Sequence, residues 1–462
     1  MGNHTGNKVT IVSADGHVSP PVPTVIKYFE PILRAHVDDL IRQDVSYIGN
    51  RATPARPPRK QFEVFDDRGL VAGGGEFGAS DPKIRLQQMD AEGIAGDLLL
   101  PGTQVSITPF FFPVNAPCAP EIRAAGARAY HRWLADFISE GDGRLFGVAE
   151  PGPCVDMDET IAELEWCAAN GFVSVAPPLN TNDRDLPPLY DPYYERFWAA
   201  CADLGLVLNA HAGWGTDQTP MSTWVPAHKL GDGEETGGHD FEAIHKAMQE
   251  KDSPIRMFLQ MPRRPLWQLM ASGVFDRHPT LKLALTEIRA DWVPDTIAHL
   301  EAKFQELQPP CARTPREYYA DNILMVPSCP HRSEAEMRKE IGIEQFGFGQ
   351  DFPHWEGTWP NTKPWLQHAF GDCTESELRA ILGGNTMRFY GLPQAHLDAV
   401  ADRIGFEVDE ILGEHPVSDA LLQQMNRRSG YLRSADPVYT DELDRMIEPD
   451  LRGASLAFAA GD

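Results

Sequence analysis

The sequence predicts an α/β fold: a (β/α)8 barrel of the TIM type with long strand-to-helix insertions and a C-terminal helical extension. The prediction depends on apolar runs of strand length, which alternate with helical segments between residues 9 and 392. Such alternation is typical of a parallel sheet, and eight strand–helix units favour closure into a barrel. An open doubly wound sheet is the competing fold, although no Gly-x-Gly-x-x-Gly motif follows the first strand.

The predicted elements follow one another in a regular order. Strands are expected at residues 9–14, 97–100, 145–149, 172–176, 206–210, 281–286, 323–326 and 346–350. Helices are expected at residues 82–93, 120–140, 156–169, 191–204, 266–276, 294–308, 334–341 and 374–390. The first helix shows the boundary signals, because Asp81 can cap its start, Pro82 suits its first turn and Gly93 can end it. Residues 30–80 and 213–262 are expected to be long insertions.

Composition narrows the class of protein. With 462 residues and 42% hydrophobic content, the chain can bury a sizeable core. Its net charge of -26, from 67 acidic and 41 basic residues, repels nucleic acid and anionic membrane surfaces. No signal peptide or membrane-length apolar run is evident, and the seven cysteines include no Cys-x-x-Cys pair. We therefore expect a cytoplasmic enzyme that acts on a small molecule, without nucleic-acid or membrane partners.

Two regions are predicted, a barrel over residues 1–392 and an acidic extension over residues 393–462. The strand–helix alternation stops beyond residue 392, where acidic residues outnumber basic ones. Only short helical stretches, such as residues 417–425, are expected there. We expect the extension to wrap on the barrel or on a partner subunit and to support a homodimer.

Metal-type side chains stand at the ends of four predicted strands. Asp15 and His17 follow the first strand, and side chains two residues apart on a strand share one face. His211, Glu287 and Asp351 follow the fifth, sixth and eighth strands. The carboxyl ends of all barrel strands meet at one face, so these five side chains are predicted to share a pocket as ligands of a divalent cation.

Each of these residues also has a structural alternative. The Asp15-Gly-His17 segment could be a capping turn, and His211 could be a buried core histidine. Glu287 could form a buried ion pair with an arginine such as Arg289. Asp351 could cap the loop that follows it, although a buried aspartate is costly without a cation or a hydrogen-bond donor.

Several motifs resemble one known family. They are Asp15-Gly-His-Val-Ser-Pro-Pro, Arg144-Leu-Phe-Gly-Val-Ala, Asn209-Ala-His-Ala-Gly, Leu281-Lys-Leu-Ala-Leu-Thr-Glu with Trp292-Val-Pro, Asp351-Phe-Pro-His-Trp-Glu-Gly-Thr-Trp-Pro, and Ile381-Leu-Gly-Gly-Asn with Tyr390-Gly-Leu. Together they resemble the amidohydrolase-related branch of the amidohydrolase superfamily, which also holds metal-dependent non-oxidative decarboxylases. The resemblance implies a metal-dependent (β/α)8 barrel whose ligands are Asp15, His17, His211 and Asp351.

The chain departs from the family pattern at two strand ends. The fourth strand leads into Pro177-Pro178, so the carbamylated lysine of the superfamily's binuclear hydrolases is absent there. Glu287-Ile-Arg289 stands where decarboxylases of this branch usually carry a histidine motif. A carboxylate at this position could bind metal, bridge two ions or act as a base, which argues against decarboxylation.

The sequence therefore favours a metal-dependent hydrolase that cleaves an ester, thioester, amide or lactone by metal-activated water. Asp351 is expected to be the general base, with Glu287 and His211 completing the catalytic set. One or two Fe, Mn or Zn ions are expected per chain, because the donors are rich in oxygen. The alternative reaction is non-oxidative decarboxylation of an aromatic or unsaturated acid. The alternative without catalysis is a barrel that only binds a ligand.

The substrate is expected to be bulky and largely apolar. Trp214 and other aromatic residues of the insertions suggest an apolar lid, although they could equally be loop packing. Arg263 and Arg264 are predicted to clamp a substrate carboxylate, and His354 is predicted to contact the substrate.

Overall fold

The computed structural model is an α/β fold with a seven-stranded parallel sheet. It describes residues 7–38, 64–102, 119–178, 186–215, 246, 249–253, 256, 260–354, 356–428 and 438–461. The strands are β1 (Ile11–Val18), β2 (Ile94–Pro101), β3 (Leu145–Ala149), β4 (Phe172–Val175), β5 (Val207–His211), β6 (Leu283–Thr286) and β7 (Ile323–Val326). They lie side by side in sequence order, and every neighbouring pair is parallel. This arrangement is consistent with the predicted TIM-type fold.

The eighth predicted strand is not a regular strand. It forms isolated parallel bridges on both sides, from Phe346 to Met325 in β7 and from Phe352 to Gly16 in β1. The backbone of Asp351 has a φ of 59°, a left-handed conformation that interrupts an extended ladder. Backbone hydrogen bonds nevertheless join this segment to β7 on one side and to β1 on the other.

Helices follow the strands largely as the sequence predicts. They span Val22–Val25, Pro31–Arg34, Pro82–Glu92, Pro120–Ser139, Met157–Ala169, Glu195–Leu204, Arg264–Ala271, Val274–Arg277, Val293–Leu307, Pro315–Asn322, Arg332–Glu336, Arg338–Ile341, Thr362–Phe370, Glu375–Arg379, Asn385–Tyr390, Gln394–Ile404, Asp419–Arg428 and Thr440–Gly461. The side chain of Asp81 accepts hydrogen bonds from Lys83 N and Ile84 N, and Gly93 ends that helix with a φ of 71°. The predicted boundary residues therefore act as expected.

Three predicted helices are interrupted. Gly273, with a φ of 65°, divides the predicted helix 266–276 into two. The predicted helix 334–341 is likewise two short helices, and a π-turn, Ala380–Gly384, interrupts the predicted helix 374–390. At Gly383 this segment contacts the start of β1 so closely that a Cβ would lie 2.2 Å from Thr10 O. Only glycine allows that approach.

The core continues past the predicted domain boundary at residue 392. Leu397, Val400 and Ala401 are fully buried, in one apolar cluster with Val12 of β1 and Leu98 of β2. The helix Gln394–Ile404 therefore closes the end of the sheet opposite the carboxyl ends of the strands. The division at residue 392 stays a prediction, but this part of the extension packs as one body with the sheet.

The prediction of only short helices in the extension is wrong. A long helix, Thr440–Gly461, packs on the helices Arg264–Ala271 and Val293–Leu307. Buried Leu443, Ile447 and Leu451 give it an apolar face at helical spacing. Pro449 within the helix hides this pattern in the sequence. The extension thus packs on its own chain, and the predicted homodimer stays a prediction.

Much of the predicted insertions lies outside the described residues. Trp224, His239 and His245 of the second insertion are among the residues that are not described, and so are the aromatic residues Phe110–Phe112 and Trp355 of other loops. Among the helices that the structure does describe, none has the length and apolar character needed to cross a membrane.

Candidate metal centre

The structure brings the five predicted metal-site residues together at the carboxyl ends of the strands. Asp15 and His17 lie within β1, which is longer than predicted, and their side chains share one face of it. His211 is the last residue of β5, and Glu287 follows β6 directly. Asp351 lies in the segment that connects β7 to β1. The barrel geometry therefore produces the predicted convergence.

Distances between the donor atoms suit a bound cation. Nε2 of His17 lies 3.3 Å from Asp15 Oδ1 and 3.3 Å from Asp351 Oδ1. Nε2 of His211 also lies 3.3 Å from Asp15 Oδ1. Neighbouring ligands of a cation with bonds of about 2.1 Å are roughly 3.0–3.4 Å apart. We call Asp15, His17, His211 and Asp351 the first cation site.

Buried polar atoms without partners show that these residues fit a cation. Within the described part of the chain, neither ring nitrogen of His17 and neither carboxylate oxygen of Asp351 forms a hydrogen bond of good geometry, although polar atoms lie close to them. The two residues are 3% and 0% exposed. Unsatisfied buried groups of this kind are costly, and a divalent cation would satisfy them. The donor set fits such an ion, as the predicted divalent-metal cofactor requires, and the assignment of these residues as its ligands stays a prediction.

The pKa directions show how strongly this site attracts positive charge. Burial lowers the pKa of His17, but the carboxylates of Asp15 and Asp351 outweigh it and raise the pKa to about 10. Burial also opposes the charge of Asp15, yet the two neighbouring imidazoles lower its pKa overall. Burial, with nearby Asp351, raises the pKa of Glu287 well above its usual range. The same negative field that holds a proton on His17 attracts a metal cation.

A buried ion pair behind β1 holds the first cation site in place, and sequence reasoning missed it. Arg85 donates to Asp97 Oδ2 over 2.6 Å and to the backbone oxygen of His17 over 2.9 Å. The side chain of Ser328 donates to Asp15 Oδ2. The signal in the sequence was an aspartate, Asp97, inside the apolar run of the second strand, where a charge needs a partner. Such partners orient metal ligands.

Gly16 should be essential to this arrangement. A Cβ there would lie 2.4 Å from Asp97 Oδ1 and 2.5 Å from Arg85 Nη2. We expect Gly16→Ala to displace the neighbouring ligands and weaken Mn²⁺ affinity roughly tenfold or more, as measured by titration of the metal-free protein. Gly205→Ala is the control, because its φ is 69° but nothing lies within 4 Å. It should reduce stability by about 1 kcal/mol and leave Mn²⁺ affinity unchanged; equal losses of affinity would contradict the prediction.

His354 and Glu356 extend the cluster on its outer side. Nδ1 of His354 lies 2.8 Å from Asp351 Oδ1, and its ring stacks on that of His17 at 4.0 Å. Donor atoms of Glu287, Asp351, His354 and Glu356 all lie within 4.8 Å of one another. The sequence prediction missed Glu356, although it stands two residues after His354 within the motif that carries the family resemblance.

The two arginines that are predicted to clamp a substrate carboxylate have protein partners in the structure. Arg264 forms a two-point ion pair with Asp450 of the extension, at 3.0 and 2.6 Å. Arg263 is buried with its guanidinium 4.4 Å from the ring centre of Trp292. Arg264 thus joins the extension to the sheet domain, and the predicted clamp stays a prediction. The sequence could not distinguish the two uses of an arginine.

Trp214 and Arg289 have structural partners. The indole of Trp214 donates to Pro177 O over 3.1 Å, which ties the loop after β5 to the loop after β4. Arg289 pairs with Asp291 at 3.0 Å and lies 3.4 Å from Glu334. Glu287 instead lies 3.3 Å from His211 Nε2, so the alternative of a Glu287–Arg289 ion pair is not supported.

Glu150 is a further acidic residue at the mouth of the barrel. It follows β3, and its backbone N–H donates to Nε2 of buried His131 over 3.0 Å. Burial raises the pKa of its carboxyl to about 7, although Arg123 and His211 act in the opposite direction. The prediction overlooked this residue, whose signal is an acidic side chain directly after an apolar strand.

Comparison with known proteins identifies relatives of the chain. Residues 106–392 match the family model described as amidohydrolase. γ-Resorcylate decarboxylase of Rhodococcus jostii (strain RHA1) is 25% identical over 292 residues, which are 58% of this chain and 76% of the relative.

Solved structures share the fold. One is the 5-carboxyvanillate decarboxylase of Novosphingobium aromaticivorans DSM 12444 with manganese and 4-hydroxy-3-methoxy-5-nitrobenzoic acid, with a TM-score of 0.58, 16% identity and coverage of 85% of this chain and 100% of that chain. Another is the dihydroxybenzoic acid decarboxylase of Polaromonas sp. JS666 with manganese and 2-nitroresorcinol. Its TM-score is 0.53 and its identity is 17%, over 84% of this chain and 98% of that chain.

These relatives correct the functional prediction. The sequence favoured a hydrolase because Glu287 replaces a histidine, but the relatives are decarboxylases, which was the alternative. A single exchange at the metal site was therefore too weak an indicator of reaction type. The resemblance itself is confirmed, because the matched model covers more than half of the 462 residues. The chain belongs to the amidohydrolase family.

Proposed function

We propose that the protein is a metal-dependent, non-oxidative decarboxylase of a hydroxylated aromatic acid. The observation that carries the proposal is the first cation site, whose buried donors lie at the carboxyl ends of β1 and β5 and in the segment after β7. The 25% identity to γ-resorcylate decarboxylase supports the reaction type. The manganese and nitro-substituted phenolic ligands of the structural relatives support the choice of cation and substrate class.

The proposed reaction replaces a carboxylate on an aromatic ring with a hydrogen. The bond between the ring carbon and the carboxylate carbon breaks, CO₂ leaves, and its electron pair stays on the ring carbon. A proton added to that carbon completes the product, so no oxidant or reductant is needed. A divalent cation, Mn²⁺ in our proposal, would be held by Asp15, His17, His211 and Asp351 and would stabilise negative charge on the substrate oxygens.

The protein's own contribution is to position a proton donor. Asp351 is fully buried at the site, and His354 lies 2.8 Å from its Oδ1. We assign to the carboxyl group of Asp351 the transfer of its proton to the ring carbon, after which it takes up another proton from solvent, and to His354 the orientation of that carboxyl group. Glu287 is buried, with a raised pKa, and lies 3.3 Å from His211.

A hydroxyl group next to the substrate carboxylate is expected to be required. It would give the substrate two oxygens on one side and would make the ring carbon electron-rich enough to accept a proton. Benzoate lacks this group and should not react.

The test is a product assay with the Mn²⁺-loaded protein. It uses 2,6-dihydroxybenzoate, 5-carboxyvanillate and benzoate, and it measures CO₂ and the decarboxylated ring. We expect CO₂ from at least one hydroxylated acid, none from benzoate, and loss of activity after chelation with recovery on adding Mn²⁺. Failure of the Mn²⁺-loaded protein to release CO₂ from either hydroxylated acid would contradict the proposal.

A further inference from the structure

We propose that Glu150 binds a second hydroxyl group of the substrate, on the side of the ring that points away from the first cation site. This inference rests on the proposed function and extends it to the choice of substrate. It is drawn from the position of Glu150 at the mouth of the barrel and from its carboxylate, which has no hydrogen-bond partner among the described residues.

The direction of the Glu150 side chain follows from the alternation along β3. Phe146 and Val148 belong to the apolar cluster inside the barrel, together with residues of β1, β5 and β7. The ladder continues to the end of β3, where Ala149 O accepts a hydrogen bond from Ala176 N. Side chains two residues apart on a strand share one face, and Glu150 comes two residues after Val148. Its carboxylate therefore points into the mouth of the barrel.

The carboxyl group of Glu150 lies within electrostatic reach of the first cation site. Burial raises its pKa, and the two groups that lower it are the guanidinium of Arg123 and the imidazole of His211. Its oxygens nevertheless form neither a hydrogen bond nor an ion pair with any described residue. A partly buried carboxylate without a donor is costly, and a hydroxyl group of a ligand would supply that donor.

Glu150 stands on the wall of the barrel that contributes no cation ligand. The proposed ligands come from β1, β5 and the segment between β7 and β1, whereas β2, β3 and β4 form the wall between them. Among the described residues that directly follow those three strands, only Glu150 is charged: Gly102 follows β2, and Ala176-Pro177-Pro178 follows β4. The indole of Trp214 donates to Pro177 O, which adds an aromatic side chain to this wall. An aromatic acid that the cation holds by its carboxylate would direct the far side of its ring here.

Buried His131 fixes the backbone from which the Glu150 side chain extends. The backbone N–H of Glu150 donates to Nε2 of His131, so that nitrogen carries no hydrogen, and Nδ1 donates to Glu163 over 2.7 Å. Arg132 donates to Glu163 Oε2 over 2.8 Å, and its guanidinium lies 3.5 Å from the ring centre of Trp166. The backbone at Glu150 is thus held before a ligand arrives, which lowers the entropy lost on binding.

The experiment measures the affinity of the Mn²⁺-loaded protein for nitrophenols, which cannot release CO₂. Related structures contain manganese and a nitro-substituted phenol. The reference ligand is 2-nitrophenol, and the test ligands are the four compounds that add one hydroxyl group to it, each at a different free ring position. Isothermal titration calorimetry gives the dissociation constants. We expect one test ligand to bind about tenfold or more tightly than 2-nitrophenol, because a hydrogen bond to a charged group contributes that much.

Three variants show whether Glu150 causes this preference. Glu150→Leu should bind the preferred ligand and 2-nitrophenol about equally, because it removes the acceptor, while its affinity for 2-nitrophenol and its Mn²⁺ content stay unchanged. Glu150→Gln should keep part of the preference, since its amide oxygen still accepts a hydrogen bond. Glu165→Leu is the matched control, because Glu165 is exposed on the helix Met157–Ala169, and it should behave as the wild type.

The result also separates this inference from the proposed function. A wild-type protein without a preference would overturn the inference, and so would a folded Glu150→Leu variant that keeps the preference. An equal loss of affinity for 2-nitrophenol would assign Glu150 a structural role and would likewise overturn it. Circular dichroism establishes folding, and Glu150→Gln serves if the leucine variant does not fold. Release of CO₂ without a preference contradicts only this inference, whereas a preference without release of CO₂ contradicts only the proposed decarboxylation.

Discussion

Replacing Asp351 with asparagine is expected to reduce CO₂ release by about 100-fold or more, because the proposed proton donor is removed. The same change should weaken Mn²⁺ binding, since the amide carries no charge and is a poorer ligand. Turnover is measured with the hydroxylated acid that the wild-type protein accepts, at saturating Mn²⁺. Metal content is measured on the same samples, so that loss of the ion and loss of proton transfer can be separated.

Asp321→Asn is the matched control for this experiment. Asp321 is 65% exposed, pairs with Arg313 and lies just before β7, at the opposite end of the sheet from the metal site. It should leave both turnover and Mn²⁺ content unchanged. An Asp351→Asn protein that holds Mn²⁺ and turns over within a few-fold of wild type would show that Asp351 does not transfer the proton.

Replacing Glu442 with glutamine is expected to lower the free energy of unfolding by about 3 kcal/mol, because it removes the negative charge that is paired with the buried guanidinium of Arg256. Glu442 and Arg256 are 0% and 2% exposed, and Arg256 Nε donates to Glu442 Oε2 over 2.6 Å. Glu442 also accepts from the backbone N–H of Asp252. This pair anchors the helix Thr440–Gly461 to the body of the protein, and denaturant unfolding measures the loss.

A neighbouring ion pair provides the control. Asp441 pairs with Lys251 at 2.5 Å, but the two side chains are 61% and 44% exposed. Asp441→Asn should therefore change the free energy of unfolding by less than about 1 kcal/mol. If the two variants were equally stable, the buried pair would not be the anchor of the helix.

Much of the fold was predictable from the sequence because its strands are buried on both faces. Residues 145–149 and 323–326 are uninterrupted apolar runs, and the structure places β3 and β7 at those positions. The eighth strand was not predictable as irregular, since its left-handed Asp351 backbone depends on tertiary packing. The helix Thr440–Gly461 was missed because Pro449 stands inside it.

The candidate site was predictable only in part, for a related reason. Asp15, His17 and His211 stand at strand ends, and barrel geometry brings such positions together. Arg85 and Glu356 lie outside strands, where the sequence does not indicate which way a side chain points. The carboxylate clamp at Arg263 and Arg264 stays a prediction, and the sequence could not indicate their aromatic and acidic partners, which are distant along the chain. The reaction type was predicted wrongly because Glu287 was given too much weight.

The left-handed backbone of two site residues has a consequence for protein engineering. Glu287 and Asp351 have φ values of 58° and 59°, a conformation that disfavours most side chains by about 1 kcal/mol and suits glycine and asparagine better. Selection for thermal stability alone should therefore favour glycine or asparagine at these two positions, and it should yield more stable proteins with less activity. At these two positions the carboxylate that the candidate site needs is therefore not the residue that best suits the backbone.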